Sequence, residues 1–239
     1  SAHLTNYAED FMPSERHLYY YRERARGGTG LIITEEQSTH PTDHPYEKLI
    51  HAFHRRVIPH YRRITAAVHA EGTPILAQIN HNGGQSSGMF TRLPAWAPSA
   101  LADPLFREVA KAVEHEDILE IIQGYVRVAA YTREGGFDGV ELQCSHSSIV
   151  RQFLSRNTNH RSDEYGGSLD NRARLLREII AAIRNEVGRD YVISVRLCGD
   201  ELIREGITLD ETVAVARLLE ADGLIDLINT SIGTATQTL

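Results

Sequence analysis

Two polar side chains stand near the ends of short apolar runs, where they can bind a ligand. Gln78 lies in the run 74–80 and offers a donor and an acceptor side by side, which suits the edge of a heterocycle. Arg196 lies in the run 191–197 and carries a permanent positive charge that can stabilise an anion. Both residues also have a structural interpretation. Gln78 can hydrogen-bond a neighbouring strand, and Arg196 can form an ion pair with Glu141.

A second group of polar side chains follows the apolar run 137–142. Gln143, His146 and Ser148 all carry hydrogen-bonding groups. His146 has an ordinary pKa of about 6.5, which suits proton transfer near neutral pH. A single histidine is more often structural than catalytic, but three hydrogen-bonding side chains at one strand end strengthen the case. These three residues are therefore candidates for contact with a ligand or substrate.

Strands and helices alternate along the chain and position these candidates. The apolar spacing predicts five strands, at residues 31–34, 74–80, 137–142, 191–197 and 224–230. It predicts five helices, at residues 15–25, 46–71, 116–134, 169–187 and 209–221, with Pro59 kinking or dividing the second one. The segments 35–41, 81–113 and 143–168 are predicted as loops.

Repeated strand–helix alternation implies a parallel sheet with helical crossovers. Five strands with four crossovers fit most of an α/β fold of the (β/α)8 TIM barrel type, and a doubly wound open sheet is the alternative. In both folds the carboxyl ends of the strands form one mouth, where ligands bind. The sequence begins with a loop and a helix and ends after a strand. We therefore expect residues 1–239 to be one partial domain of a longer polypeptide, without the first strand and the last two strands of the barrel.

The composition excludes several classes of protein. The formal net charge is −7 and the arginines are spread next to acids, which argues against nucleic-acid binding. No apolar run reaches the roughly 20 residues that span a bilayer, and the N-terminus lacks the pattern of a signal peptide. Cys144 and Cys198 are too few for a disulfide framework or an ordinary iron–sulfur cluster, and they favour a cytoplasmic location. The 12 histidines lack matching carboxylates, so we predict no metal site.

The loop 161–172 carries the most specific pattern in the sequence. It reads Arg-Ser-Asp-Glu-Tyr-Gly-Gly-Ser from residue 161, followed by Asn171 and Arg172. This loop resembles the signature of the old yellow enzyme superfamily of NADH:flavin oxidoreductases, and the branch of 2,4-dienoyl-CoA reductases and trimethylamine dehydrogenases looks most similar. Supporting matches extend over essentially the whole chain, at residues 30–35, 78–81, 97–100, 136–141, 153–155 and 194–197.

The resemblance implies a (β/α)8 barrel that holds FMN at its C-terminal mouth, with NAD(P)H as the electron donor. Gln78 would pair with the pyrimidine edge of the flavin, and Arg196 would lie near N1 and O2. This role agrees with the chemistry of Arg196, because reduced flavin carries negative charge at N1 that a guanidinium stabilises. The family's phosphate site follows strands seven and eight, which the sequence does not reach, so the FMN site of these residues alone would be incomplete.

Other residues match positions that surround FMN in the family. Ala2, His3 and Leu4 match the loop after the first strand, which packs on the flavin and contacts it through its backbone. Glu36 matches the position after the second strand, near the flavin ring, where relatives carry a small or polar residue. A 4Fe-4S cluster and FAD are implied only if further domains follow residue 239.

The chain departs from the family pattern after residue 142. Gln143 and His146 occupy the family's pair of hydrogen-bond donors, but Ser148 stands where many relatives carry a tyrosine. In ene reductases that tyrosine delivers a proton, and a serine hydroxyl is a much weaker acid. We therefore expect His146 to be the better proton donor, and an oxidation that needs no acid there is also open.

The residues and the resemblance together predict an FMN-dependent oxidoreductase. It would transfer hydride between FMN and either NAD(P)H or a small organic substrate such as an enone or enoyl compound. Three alternatives stay open: an oxidation like that of flavin amine dehydrogenases, a flavin-free barrel lyase or isomerase, and an assembly domain without catalysis. The flavin-free enzyme requires a lysine at a strand end, and none of the predicted strands ends in one. We expect a homo-oligomer that acts on a small molecule and binds neither nucleic acid nor membrane.

Overall fold

A parallel β-sheet with helices along one face organises the chain. The computed structural model describes residues 4–234, so Ala2 and His3 lie outside the described residues. In chain order the elements are α1 (Glu15–Arg26), β1 (Ile32–Ser38), β2 (Ile50–His51), α2 (Ile58–His69), β3 (Ile75–Asn80), α3 (Gly88–Thr91), β4 (Trp96–Ala97), β5 (Lys111–Ala112), α4 (His115–Glu134), β6 (Gly139–Cys144), α5 (Ile149–Leu154), α6 (Leu169–Val187), β7 (Val192–Cys198), α7 (Leu209–Asp222) and β8 (Leu227–Ser231).

The sheet has the strand order β2-β1-β3-β6-β7-β8, and all its pairs are parallel. The long helices α2, α4, α6 and α7 cross over between its strands, which confirms the predicted parallel α/β architecture. Apolar side chains of the sheet and of the helices bury one another in a single core that includes Ile121, Val128, Val140, Leu142, Leu175, Ile179, Ile193 and Val195.

The register of the central strands places the polar residues on the other face. Gln78 pairs with Glu141, and Glu141 pairs with Ser194. Two residues further along, Gln143 pairs with Arg196. Because alternate residues of a strand share a face, these five side chains all point away from the apolar residues between them. They lie toward the carboxyl ends of β3, β6 and β7, where parallel sheets bind ligands.

Strand β1 is longer than the sequence predicts. The structure continues it to Ser38, although residues 35–41 read as a polar loop. These polar side chains are buried and paired: the Tyr61 hydroxyl donates a hydrogen bond to Gln37, for example. A polar side chain can be buried in a strand when a distant helix supplies its hydrogen-bond partner. The polar character of residues 35–41 therefore gave the wrong strand end.

The predicted helix over 46–71 is wrong in its first half. Only Ile58–His69 is α-helical, and Pro59 lies in its first turn, where a missing backbone N–H costs no hydrogen bond. Ile50 belongs to β2 and pairs with β1, so its burial comes from the sheet and not from a helix face. A short apolar run does not distinguish these two states.

The predicted loops also contain short elements. The segment 81–113 includes α3 and the parallel pair β4–β5, and the segment 143–168 includes α5. Strand β6 continues to Cys144, so Gln143 belongs to the strand itself. The candidate residues His146 and Ser148 therefore lie in the tight connection between β6 and α5.

Candidate active site

Glu141 is the centre of the polar face, although sequence reasoning considered it only as an ion-pair partner. Its side chain is 0% exposed. Its Oε1 atom accepts a hydrogen bond from Gln78 Nε2 at 2.7 Å. Its Oε2 atom accepts from Asn229 Nδ2 at 3.0 Å and from Ser194 Oγ at 3.2 Å. One carboxylate thus connects β3, β6, β7 and β8 at the site where the sequence predicts ligand binding.

Arg196 faces the same carboxylate but keeps donors for another partner. Its Nη1 atom lies 3.7 Å from Glu141 Oε1, which is an ion pair without a direct hydrogen bond. The residue is 8% exposed, and its buried Nε atom has no hydrogen-bond partner among the described residues. An unpaired buried donor is costly unless a ligand satisfies it. The structural ion pair and a ligand contact are therefore compatible at Arg196.

Gln143 and His146 form the second part of the site. Gln143 Oε1 accepts from the backbone amide of Ser145 at 3.3 Å, which leaves the Nε2 donor of the carboxamide for a ligand. His146 is partly exposed, and its backbone adopts φ 44°, in the left-handed region that ordinary residues rarely occupy. A left-handed backbone at a non-glycine residue costs free energy, and such residues are often found at functional sites.

The charge of His146 differs from the sequence expectation. Burial lowers its pKa below the ordinary value, and the positive charges of Arg196 and Arg151 lower the pKa further. The imidazole is therefore neutral at neutral pH. A neutral ring donates one hydrogen bond, and the role of His146 as proton donor stays a prediction.

Ser148 occupies a structural position instead of facing the site. Its side chain is 0% exposed, and its Oγ atom accepts a hydrogen bond from Val150 N at 3.1 Å as the N-cap of α5. The residue therefore orders the connection that carries His146. The hydroxyl is enclosed in this arrangement, and the predicted contact of Ser148 with a substrate stays a prediction.

Glu36 lies opposite Gln78 in the register and extends the polar face to β1. Its carboxyl accepts from Asn80 Nδ2 at 2.7 Å and from the Tyr46 hydroxyl at 3.1 Å. Burial raises the pKa of Glu36 to about 7, and the nearby Asp43 contributes to the increase. Glu36 is thus partly protonated at neutral pH, which makes it the group of the polar face best suited to hold a proton.

Asp43 links two loops of the site and was missed by sequence reasoning. Its Oδ1 atom accepts from the backbone and side-chain amides of Asn82, at 2.9 and 3.0 Å. Asn82 Oδ1 in turn accepts from Ser147 Oγ at 2.6 Å. Asp43 therefore holds Asn82 in the loop after β3, and Asn82 connects that loop to the one that carries His146. An isolated aspartate in a polar loop gives no sequence signal for such a role.

The most specific sequence motif is a structural one. Arg161 Nη1 donates to the carbonyl oxygens of Val113, at 2.5 Å, and of Pro98, at 3.3 Å. A Cβ atom on Gly166 would lie 2.1 Å from Arg161 O, so only glycine fits this close approach. The loop 161–172 therefore fastens the excursion after β3 to α6, away from Gln78 and Arg196.

Leu4 is described but stands apart from the polar face. Its side chain is 40% exposed. The next residue, Thr5, donates its backbone N–H to Glu35 Oε2 at 3.0 Å and so anchors this segment beside β1. Within residues 4–234, Leu4 makes no hydrogen bond to the Gln78, Glu141 and Arg196 set, and its predicted flavin contact stays a prediction.

The donor set fits the pyrimidine edge of a flavin better than a metal ion. Gln78 and Arg196 come from strands on either side of Glu141, and the unpaired Nε of Arg196 suits an anionic or carbonyl acceptor. No group of three or more metal-ligating side chains is arranged around an ion in the described part of the chain. None of the helices described within residues 4–234 is long and apolar enough to cross a membrane.

The parallel α/β fold, with polar side chains at its strand ends, is that of a barrel related in structure to an old yellow enzyme homologue. Residues 1–235 match the NADH:flavin oxidoreductase / NADH oxidase family. The chain belongs to that family. This confirms the superfamily that the loop 161–172 and the strand-end motifs indicate, and it confirms the TIM-barrel fold class.

Two curated relatives show what kinds of enzyme carry similar chains. The N,N-dimethylglycine/sarcosine dehydrogenase of Chromohalobacter salexigens is 36% identical over 230 residues, which are 95% of this chain and 33% of the relative. The multifunctional alkene reductase/demethylase of Caballeronia cordobensis is 31% identical over 236 residues, which are 98% of this chain and 34% of the relative. The chain thus spans about a third of the length of these relatives.

Solved structures agree with this assignment. A complex of 2-naphthoyl-CoA reductase superposes with a TM-score of 0.94 at 31% identity, over 98% of this chain and 38% of that one. Histamine dehydrogenase from Rhizobium sp. 4-9 superposes with a TM-score of 0.87 at 30% identity, over 98% of this chain and 34% of that one.

Proposed function

We propose that this chain is the FMN-binding part of an oxidoreductase that passes hydride between FMN and either NAD(P)H or a small organic substrate. The observation that carries the proposal is the buried Gln78–Glu141–Arg196 arrangement at the strand ends. It offers an acceptor and a cationic donor side by side, and all three side chains are buried. Family membership supplies the identity of the heterocycle.

The proposal gives each residue of the site a definite task. FMN, when bound, accepts or donates the hydride. Gln78 binds the pyrimidine edge, and Arg196 stabilises the negative charge that reduction places there. The free donors of Gln143 and the neutral His146 orient a substrate by its polar end. Leu4, together with Ala2 and His3, is proposed to pack on the flavin.

Two directions of reaction are candidates. The first is reduction of an activated alkene, such as an enone or enoyl compound, by NAD(P)H. The second is oxidation of an amine, and the position of Ser148 favours it, because the enclosed hydroxyl supplies no acid to a reduced alkene. Two of the similar proteins are an N,N-dimethylglycine/sarcosine dehydrogenase and a histamine dehydrogenase, which supports oxidation of an amine.

The purified natural full-length protein tests both steps of this proposal. It should be yellow and release FMN on denaturation, and a colourless protein that takes up no FMN overturns the proposal. Under anaerobic conditions, bleaching by NADH or NADPH followed by reoxidation with an enone identifies an alkene reductase. Bleaching by sarcosine or dimethylglycine without a nicotinamide identifies an amine dehydrogenase.

The remaining expectations concern the whole polypeptide. We propose a 4Fe-4S cluster and FAD only for segments that follow residue 239, and a soluble cytoplasmic homo-oligomer as the working form. Iron and flavin analysis of the natural protein tests the cofactors, because FAD and FMN separate by chromatography. Light scattering measures the mass in solution, and a monomeric mass contradicts the proposed assembly.

A further inference from the structure

Glu141 makes its contacts only with residues that the proposed site already uses or adjoins. Its two oxygens receive Gln78 at 2.7 Å, Asn229 at 3.0 Å and Ser194 at 3.2 Å, and Arg196 lies at 3.7 Å. Burying a carboxylate completely costs desolvation free energy, and the donors around Glu141 offset that cost.

The first consequence concerns the orientation of the Gln78 carboxamide. A carboxylate only accepts hydrogen bonds, so the Nε2 end of Gln78 must face Glu141, and its Oε1 end must face away. Among the hydrogen bonds of the described residues, none uses Gln78 Oε1. The residue therefore presents an acceptor, which complements the N3–H donor of a flavin pyrimidine and not its carbonyl oxygens.

The second consequence concerns the charge beside Arg196. A negative charge 3.7 Å from the guanidinium, with both side chains buried, offsets part of its positive potential. The same negative charge opposes the anion that reduction creates at the N1 side of a flavin. Glu141 and Arg196 therefore act in opposite directions on the stability of the reduced state.

We propose that Glu141 is a positioning residue that fixes the acceptor end of Gln78 toward the flavin and, through Arg196, lowers the reduction potential of the bound FMN. This inference rests on the proposed function, since it assumes that FMN is the ligand.

The test uses the natural full-length holoenzyme and two substitutions at one position. Glu141→Gln keeps the size of the side chain and removes its charge. We expect the ratio of affinities for reduced and oxidised FMN to rise about tenfold, which is an upward shift of about 30 mV in the two-electron potential. Glu141→Asp keeps the charge and withdraws it from Gln78. It should weaken binding of oxidised FMN while the potential stays near that of the wild type.

The matched control is Asp138→Asn, which makes the same change of charge at the opposite end of β6. Asp138 receives Ile75 N at 2.7 Å and lies at the surface, so its loss should leave the potential and the affinity unchanged. Equilibration with redox dyes measures the potential, and quenching of flavin fluorescence measures the affinity.

The outcomes separate the inference from the function on which it rests. A yellow wild type whose Glu141→Gln potential equals that of Asp138→Asn overturns the role of the charge. If Glu141→Gln does not retain FMN, the Asp variant decides: unchanged affinity for oxidised FMN overturns the positioning of Gln78. A colourless wild type instead overturns the proposed function.

Discussion

The Oγ atom of Ser148 accepts a hydrogen bond from the backbone amide of Val150, 3.1 Å away. This contact caps α5 and orders the turn in which His146 adopts its left-handed backbone. In the family that the chain resembles, many members carry a tyrosine at this place, and here the same position caps a helix. We therefore expect the proposed reaction to proceed without a proton from residue 148.

Replacing Ser148 with alanine tests this structural role. We expect the free energy of unfolding to fall by about 1 kcal/mol, because the first turn of α5 loses its cap. Turnover should stay close to the wild-type value, since the hydroxyl is enclosed. Urea unfolding and steady-state kinetics measure the two quantities. Ser148→Asn, another good N-cap, should retain the stability. A large loss of kcat in a stably folded Ser148→Ala variant would contradict the structural assignment.

The fold class is readable from the sequence, but the ends of its elements are not. Helices such as α4 and α6 have long apolar faces whose period identifies them without tertiary information. The region around Ile50 has the same apolar spacing over a shorter distance, and only pairing with β1 decides that it is a strand. Strand ends such as that of β1 depend on distant partners such as Tyr61, which local patterns do not contain.

The residues of the site likewise fall into those that a local sequence pattern predicts and those that depend on distant contacts. Gln78 and Arg196 are predictable because each lies near the end of an apolar run that becomes a buried strand. The role of Glu141 depends on contacts with residues 53 to 88 positions away in the chain, and no local pattern reports them. The lowered pKa of His146 likewise depends on its burial and then on Arg196 and Arg151, which only the fold brings near it.

His81 should make the protein sensitive to acid. Burial, followed by the nearby His40, lowers the pKa of His81 to about 3. The unfolded chain, with a pKa of about 6.5, binds a proton that the folded state rejects, so stability falls as pH drops below 6.5. In His81→Gln, the amide can replace both ring contacts, which are with Gly83 N and Thr42 Oγ1. Between pH 6.5 and pH 5 the wild type should lose about 2 kcal/mol more than this variant in urea unfolding. Identical pH profiles of the two proteins would refute the assignment.

The ion pair between Arg151 and Glu201 should be a strong determinant of stability. Arg151 Nη1 lies 2.7 Å from Glu201 Oε1, and both side chains are buried. Glu201→Ala leaves a buried guanidinium without its partner, and we expect a loss of about 3–5 kcal/mol. The matched control is Glu134→Ala, which removes the exposed partner of Arg55 at the same distance and should cost about 0–1 kcal/mol. Urea unfolding at pH 7 measures both losses, and comparable values for the two variants would show that burial does not govern this pair.

The titration of Glu36 should lower the stability of the folded chain as pH rises. The titration of His81 has the opposite effect, since it lowers stability as pH falls. Its folded pKa of about 7 exceeds the unfolded value of about 4.3, so between these values the folded state holds a proton that the unfolded state has lost. Stability contributed by the protonated group is therefore complete below pH 4 and is lost as pH rises toward 7.

The substitution Glu36→Gln removes this titration and leaves a neutral side chain of the same shape. Its free energy of unfolding, relative to that of the wild type, should be about 3 kcal/mol larger at pH 8 than at pH 4. The variant is therefore expected to become the more stable protein, relative to the wild type, as pH rises. Urea unfolding across this range measures the difference, and the exposed Glu186→Gln is the control that should show no such trend. The sign of this difference in stability is decisive. If Glu36 instead stays ionised and is stabilised by its hydrogen bonds with Asn80 and Tyr46, the variant should be less stable than the wild type at high pH.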